Sequence, residues 1–215
     1  MEDEQRKQII EIWKTIVEVQ MHFNDISMRI RSMFITILLA LFASIGFLLN
    51  KELNLEILAY NVQFATLMPL FGIFGAWLFY FIDRYWYHRL LVGSVKHAIE
   101  IEKKYKNDIP ELSLSDAIGE ESPYQPRGGV RWLANLLVSH DKYRETGKLH
   151  SDGKIELFYK SVMLALTLTM IMLAFLGGVT VDKKTPPAQA TPATTAEPAP
   201  ATPPAPPTLS THKPE

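Results

Sequence analysis

Residues 83–105 read DRYWYHRLLVGSVKHAIEIEKKY, and they follow without a break on residues 64–82, FATLMPLFGIFGAWLFYFI. A lipid-length apolar run thus passes into a segment rich in Arg, His, Lys and Glu. The second segment keeps helical spacing, with Lys96 and Glu100, then Glu100 and Lys104, placed at i, i+4. No proline separates the two parts before Pro110, which restricts the residue ahead of it and marks the limit of the helix. The reading that joins them is one helix that leaves a bilayer near Ile82 and continues into water.

The same unevenness runs through the chain. Its 215 residues are 47% hydrophobic with a mean hydropathy of +0.03, an average that hides three apolar blocks. Residues 33–49, 64–82 and 161–181 approach or reach the roughly 20 apolar residues needed to cross about 30 Å of hydrocarbon. The expected fold is therefore an all-α membrane protein of three transmembrane helices, with the first two forming a long hairpin that extends into the cytoplasm. The first 30 residues are charged and helix-patterned and lack a signal-peptide design, so targeting is expected from the first span. Arg29, Arg31, Arg84, Arg89, Lys96, Lys148, Lys154 and Lys160 border the spans on one side, against Lys51, Lys183 and Lys184 on the other. The positive-inside rule then puts the N-terminus in the cytoplasm and the C-terminus outside.

This gives a division into a cytoplasmic heptad-patterned helix (1–32), a first span (33–49), an external loop (50–63), a second span (64–82) and a cytoplasmic helical extension (83–107). A cytoplasmic insert with short helices (108–160), a third span (161–181) and an external tail (182–215) complete it. The tail, with its TPPAQATPATTAEPAPATPPAPP run, supplies little to bury and many residues without a backbone donor, which predicts disorder or polyproline II. In the insert, Ser115 or Asp116 is placed to cap a helix over 117–121, and 130–145 reads as one amphipathic helix with Trp132, Leu133, Leu136 and Leu137 on a face. With few large apolar residues of its own, the insert is expected to pack on the stalk or on the membrane surface.

Along the first helix Ile9, Ile12, Ile16, Val19, Phe23, Ile26, Ile30 and Met33 recur at spacings of three and four, a heptad seam. The count continues through Ile37, Ala40, Ser44 and Phe47, so a seam that is bulky in water becomes partly small in lipid, where helices associate by close backbone approach. Ala65, Pro69, Gly72 and Ala76 make a similar small-residue stripe on the second span. These seams can pack within one chain or between copies. Ile at the first heptad position, with Ile or Val at the fourth, suits bundles of more than two strands and favours copies. Asp83, Arg84, Tyr85, Trp86, Tyr87, His88 and Arg89 read as anchors at the inner interface, where amphipathic rings and basic groups are favoured.

Chemistry is thinly represented. The net charge of −1 and the lack of a basic stripe argue against nucleic acid as a partner, and the absence of cysteine excludes thiol catalysis and thiolate metal sites. His22, His88, His97, His140, His150 and His212 fall into no metal-ligand spacing, so no metal or cofactor is expected, and no phosphate loop, hydrolase elbow or zinc signature is present. The expected function is non-enzymatic: a homo-oligomeric envelope scaffold or pore-like assembly in contact with membrane lipids. The alternative is a membrane-anchored adaptor that holds a protein partner through the insert or the tail.

The hairpin, the segment IDRYWYHRLLVGSVKHAIEIE (82–102), the segment LSLSDAIGEESP (112–123) and the pre-membrane KIELFYK (154–160) together resemble the RipA family of octameric bacterial inner-membrane proteins over most of residues 25–180. The plan is more distantly similar to the SLATT group of two-span, pore-forming effectors, from which the third apolar block and the proline tail depart. What either resemblance implies is oligomerisation; neither brings catalytic residues.

Overall fold

The computed structural model describes residues 2–51, 53–57 and 60–181. The expected external tail, 182–215, lies outside them, as do residues 52, 58 and 59 of the expected external loop.

Helix α1 (Asp3–Lys51) runs unbroken for 49 residues, on the order of 70 Å at 1.5 Å per residue. Asp3 and Glu4 stand in its first turn and Lys51 in its last, each sign matched to the helix dipole there. The returning rod is also continuous, from Phe64 to Lys104. It comprises α2 (Phe64–Phe81), a π-helical stretch (Ile82–Tyr87) and α3 (His88–Lys104). The insert contributes α4 (Leu114–Glu121), α5 (Gly128–Leu137) and α6 (Asp141–Thr146). The chain then re-enters a long helix, α7 (Ser151–Leu173), which ends in a second π-helical turn over Ala174–Gly178. Three helices are thus long and apolar enough to cross a membrane.

An all-α expectation is corrected at the far end of the hairpin. Strands β1 (Asn54–Ile57), β2 (Tyr60–Gln63) and β3 (Val179–Val181) form an antiparallel sheet in the order β1-β2-β3, with Asn54 opposite Gln63 and Asn61 opposite Thr180. The third apolar block is therefore not helical to its end. Gly177 and Gly178 close the helix and the β-branched run Val179-Thr180-Val181 extends from it, as residue type favours. The same block starts its helix earlier than its hydropathy suggests, at Ser151, so α7 crosses from the insert into the apolar run.

The insert holds two further corrections. Residues 130–145 do not form one helix: the chain turns extended at Val138 and α6 restarts after His140, ending on Gly147 in the left-handed conformation (φ 66°). The break is fixed from outside, because the Leu137 carbonyl accepts from Lys160 Nζ (2.8 Å) and the Ser139 N–H donates to Glu156 Oε1 (3.1 Å). Helix α4 is capped not by Ser115 or Asp116 side chains but by Glu102 of α3, whose carboxylate accepts from the backbone N–H groups of Ser115 (2.9 Å) and Asp116 (3.0 Å). A carboxylate there meets the positive end of the helix.

Packing follows three clusters. At the stalk tip Ile9, Ile109 and Leu112 are buried with Trp13, Ile101 and Tyr105 around them. At the start of the apolar runs Phe34, Ala76, Ile155 and Tyr159 form the centre of the three-helix core. Within the insert Ala134, Val138, Tyr143 and Leu149 pack against Leu157 of α7.

Candidate functional site: a buried charge cluster where the three helices meet

Each apolar run carries charged residues at the same edge, and the structure brings them together. Arg31 of α1 donates through Nε to Asp83 Oδ2 (2.7 Å) and through Nη2 to Asp83 Oδ1 (3.2 Å), a two-pronged pair that joins the hairpin. Tyr159 of α7 donates to the same carboxylate (3.3 Å). One residue on, Arg84 Nη1 lies 3.0 Å from Glu156 Oε2, and its guanidinium also meets the Tyr80 hydroxyl and stacks against the Tyr80 and Tyr85 rings. Glu156 in turn accepts from Lys160 (2.6 Å). Arg31–Asp83–Tyr159 and Arg84–Glu156–Lys160 are thus two charge chains crossing one level of the bundle.

The π-helical stretch explains how two successive residues reach inward. The His88 N–H bonds the Asp83 carbonyl, five residues back, so this turn is wider than an α-turn and rotates the helix beyond it. Asp83, Arg84 and His88 are all buried, whereas Tyr85, Trp86 and Arg89 point outward and Tyr87 lies between. The seven expected anchors therefore divide. The aromatic members Tyr85 and Trp86 keep an outward position, but Asp83, Arg84 and His88 are turned to the other helices, where Arg31 and Glu156 supply Asp83 and Arg84 with partners that lipid or water would otherwise provide and Asp152 stands near His88.

A buried charge is tolerable only when it is paired, and in both chains it is. Burial pushes the Glu156 carboxyl up, but hydrogen bonds from Lys160 and Ser139 and the charge of Arg84 outweigh it and hold the group below its ordinary range. His88 goes the other way from its neighbourhood: burial lowers its pKa and prevails over Asp152 and Asp83, which favour the proton. Its Nε2 lies 3.6 Å from Asp152 Oδ1, just beyond hydrogen-bond length, and neither atom has a hydrogen-bond partner among the described residues. At the stalk tip, burial likewise raises the Glu102 carboxyl, but the Ser115 N–H, the Trp13 indole (3.0 Å) and the Asp116 N–H bring it below its usual value.

The expected oligomer seam is split as well. Ile9 is buried and Ile16, Phe23, Ile26 and Ile30 are half-buried, but Ile12 (54%), Val19 (40%), Met33 (59%), Ile37 (53%) and Phe47 (61%) are exposed, as is Ser44. Ala40 is exposed as well. The line that packs within the chain runs one residue further on, through Trp13, Gln20, Ser27, Phe34, Leu41, Ile45 and Leu48. One residue is about 100° of helix. On α2, Ala65, Pro69 and Ala76 are buried and Gly72 is half-buried inside the chain. A Cβ at Gly72 would overlap Leu41 Cδ2 of α1 and stand 3.0 Å from Leu166 Cδ1 of α7. Those small residues are the close-approach surface of the three-helix core itself, not an outward stripe.

Sequence reasoning missed Glu156, Tyr159, Asp152 and Glu102. A signal was present: acid groups on the second rod and α7 stand opposite basic groups at the matching edge of the neighbouring apolar run. Among the described residues no three His, Asp or Glu side chains stand together as metal ligands. What the cluster does chemically is neutralise charge and fix the register of three helices. Comparison of the chain with protein-family models, with curated proteins and with solved structures gives no match.

Proposed function

We propose that the chain is a multi-pass protein of the bacterial inner membrane, N-terminus inside, that self-associates into a higher oligomer and serves as an envelope scaffold. The observation that carries this reading is the exposed line Ile12, Val19, Met33, Ile37 and Phe47 on α1. Lipid can cover its upper half, but Ile12 and Val19 lie in the stalk, more than ten residues before the first apolar run. Water would solvate them at a cost of about 25 cal/mol per Å² of apolar surface. A second copy presenting the same line removes that surface, and the line continues into the span without changing face. The resemblance to the octameric RipA proteins implies the same assembly.

Scaffolding is favoured over conduction because the buried charges of the cluster, Arg31–Asp83 and Arg84–Glu156–Lys160, are paired inside each chain and the exposed line on α1 is mostly apolar. The test is the mass of the intact complex in nanodiscs or another native-like membrane mimic. A multiple of 24.5 kDa is expected for the wild-type chain, falling to the monomer for Ile12→Asp/Val19→Asp. A monomeric wild-type complex refutes the proposal.

A further inference from the structure

Helix α5 presents apolar residues on two opposite sides. Ala134 and, just past the helix end, Val138 are buried in the insert's core, with Leu133 and Leu137 half-buried, whereas Trp132 (66% exposed) and Leu136 (58%), one turn apart, share the outer side. A core needs only the first set. The second is an unpartnered apolar pair on a helix that also exposes Arg127 and Arg131 at its start.

The position of α5 along α7 says what covers that pair. Val138 stands 3.7 Å from where a Cβ of Gly153 would be, Leu157 packs on the cluster around Ala134, and Lys160 Nζ bonds the Leu137 carbonyl. Helix α5 therefore lies beside residues 153–160, and the third apolar run begins at residue 161. At 1.5 Å per residue this contact spans about 12 Å from the edge of that run, and the Leu137 end of α5, held by Lys160, falls within the headgroup layer of roughly 5–8 Å. Charge agrees: residues 125–160 carry seven Lys and Arg against four Asp and Glu, and Glu156 is already neutralised by Arg84 and Lys160. Anionic headgroups attract such a surface.

We infer that α5 lies on the inner surface of the bilayer, with Trp132 and Leu136 in the boundary between headgroups and acyl chains and Arg127 and Arg131 among lipid phosphates. This rests on the membrane reading above. The indole suits that layer, since its ring is apolar and its N–H finds a polar partner there. The contact fixes the insert relative to the third span, so that the charge cluster beneath it is roofed by lipid rather than open to water.

The chain has no cysteine, so single cysteines report single positions. Trp132→Cys and Leu136→Cys each leave the other anchor in place and, being outward-facing, leave the core intact. Each carries a nitroxide in the full chain, reconstituted in phosphatidylglycerol-containing nanodiscs, and collision with oxygen is compared with collision with a water-soluble nickel chelate. Phe74→Cys on the outer face of α2 and Glu145→Cys on α6 are the lipid and water references. The expected result is an oxygen-to-nickel ratio at 132 and 136 several-fold above that at 145. A water-like ratio at both, with 74 lipid-like, overturns the inference and leaves the membrane reading standing. Low collision with both reagents, which marks burial against protein, also overturns it. A water-like ratio at 74 removes the membrane reading and the inference together.

Discussion

Asp83 is the residue on which most of the interior depends. It is fully buried, accepts from both Arg31 and Tyr159, and sits where a π-helical turn redirects the rod. Removing one partner of such a pair leaves the other charge without its partner, which costs about 3–5 kcal/mol, and the low end applies because Arg31 is partly exposed. Arg31→Ala strands a carboxylate that water cannot reach, so it is expected to be the more damaging change; Asp83→Asn keeps the shape and loses the charge. The double variant Arg31→Met/Asp83→Leu removes both charges and is expected to recover most of the loss. Equilibrium unfolding of the purified chain in detergent measures all three. Additive losses in the double variant contradict the coupling. None of this pairing is visible in hydropathy, which reads Asp83 and Arg84 only as the end of an apolar run; whether such residues turn outward or inward is decided by what the neighbouring helices place opposite them.

At the level of elements, the long helices were legible because apolar runs of lipid length pass into helix-patterned charged segments with no proline at the junction to stop them. The sheet was not, because its strands are four, four and three residues long and the last is the tail of an apolar block whose periodicity cannot distinguish helix from strand. The seam was legible as a heptad, but two adjacent lines on α1 fit that spacing. The one that packs inside the chain contains Gln20 and Ser27, polar residues that a count of apolar side chains passes over. Gly72 marks where that inner line is tightest. In Gly72→Leu a branched side chain must enter space held by Leu41 and Leu166. The expectation is a loss of about 1–3 kcal/mol from overpacking, against about 1 kcal/mol of helix propensity gained, for a net decrease in stability. The Gly75→Leu control faces open space on the same helix and is expected to keep or raise stability. Thermal unfolding in detergent distinguishes them, and equal behaviour of the two variants removes the close-packing account.

At the scale of the whole molecule, one face of α1 is used internally over the full length of the hairpin, from Trp13 against Glu102 at the tip to Ile45 near the sheet. The neighbouring line is exposed at Ile12, Val19, Met33, Ile37 and Phe47 along the same length. An interface between copies that follows the exposed line must therefore be continuous from the stalk through the apolar run, with no change of register at the membrane edge, because the helix is a single rod. This differs from an assembly held by stalk tips alone or by the spans alone. Disulfide scanning in the cysteine-free chain tests it: single cysteines in Ile12→Cys, Val19→Cys, Met33→Cys and Ile37→Cys variants are expected to give crosslinked dimers in membranes under mild oxidation. Ser27→Cys, buried against the chain's own helices, is expected to give none. Crosslinks at 12 and 19 without 33 and 37 describe contact in water only, and the reverse pattern describes contact in lipid only; either outcome breaks the single-rod account of the assembly. Crosslinks at all four with none at 27 are the pattern that two faces of one uninterrupted helix produce when each is given over to a different partner.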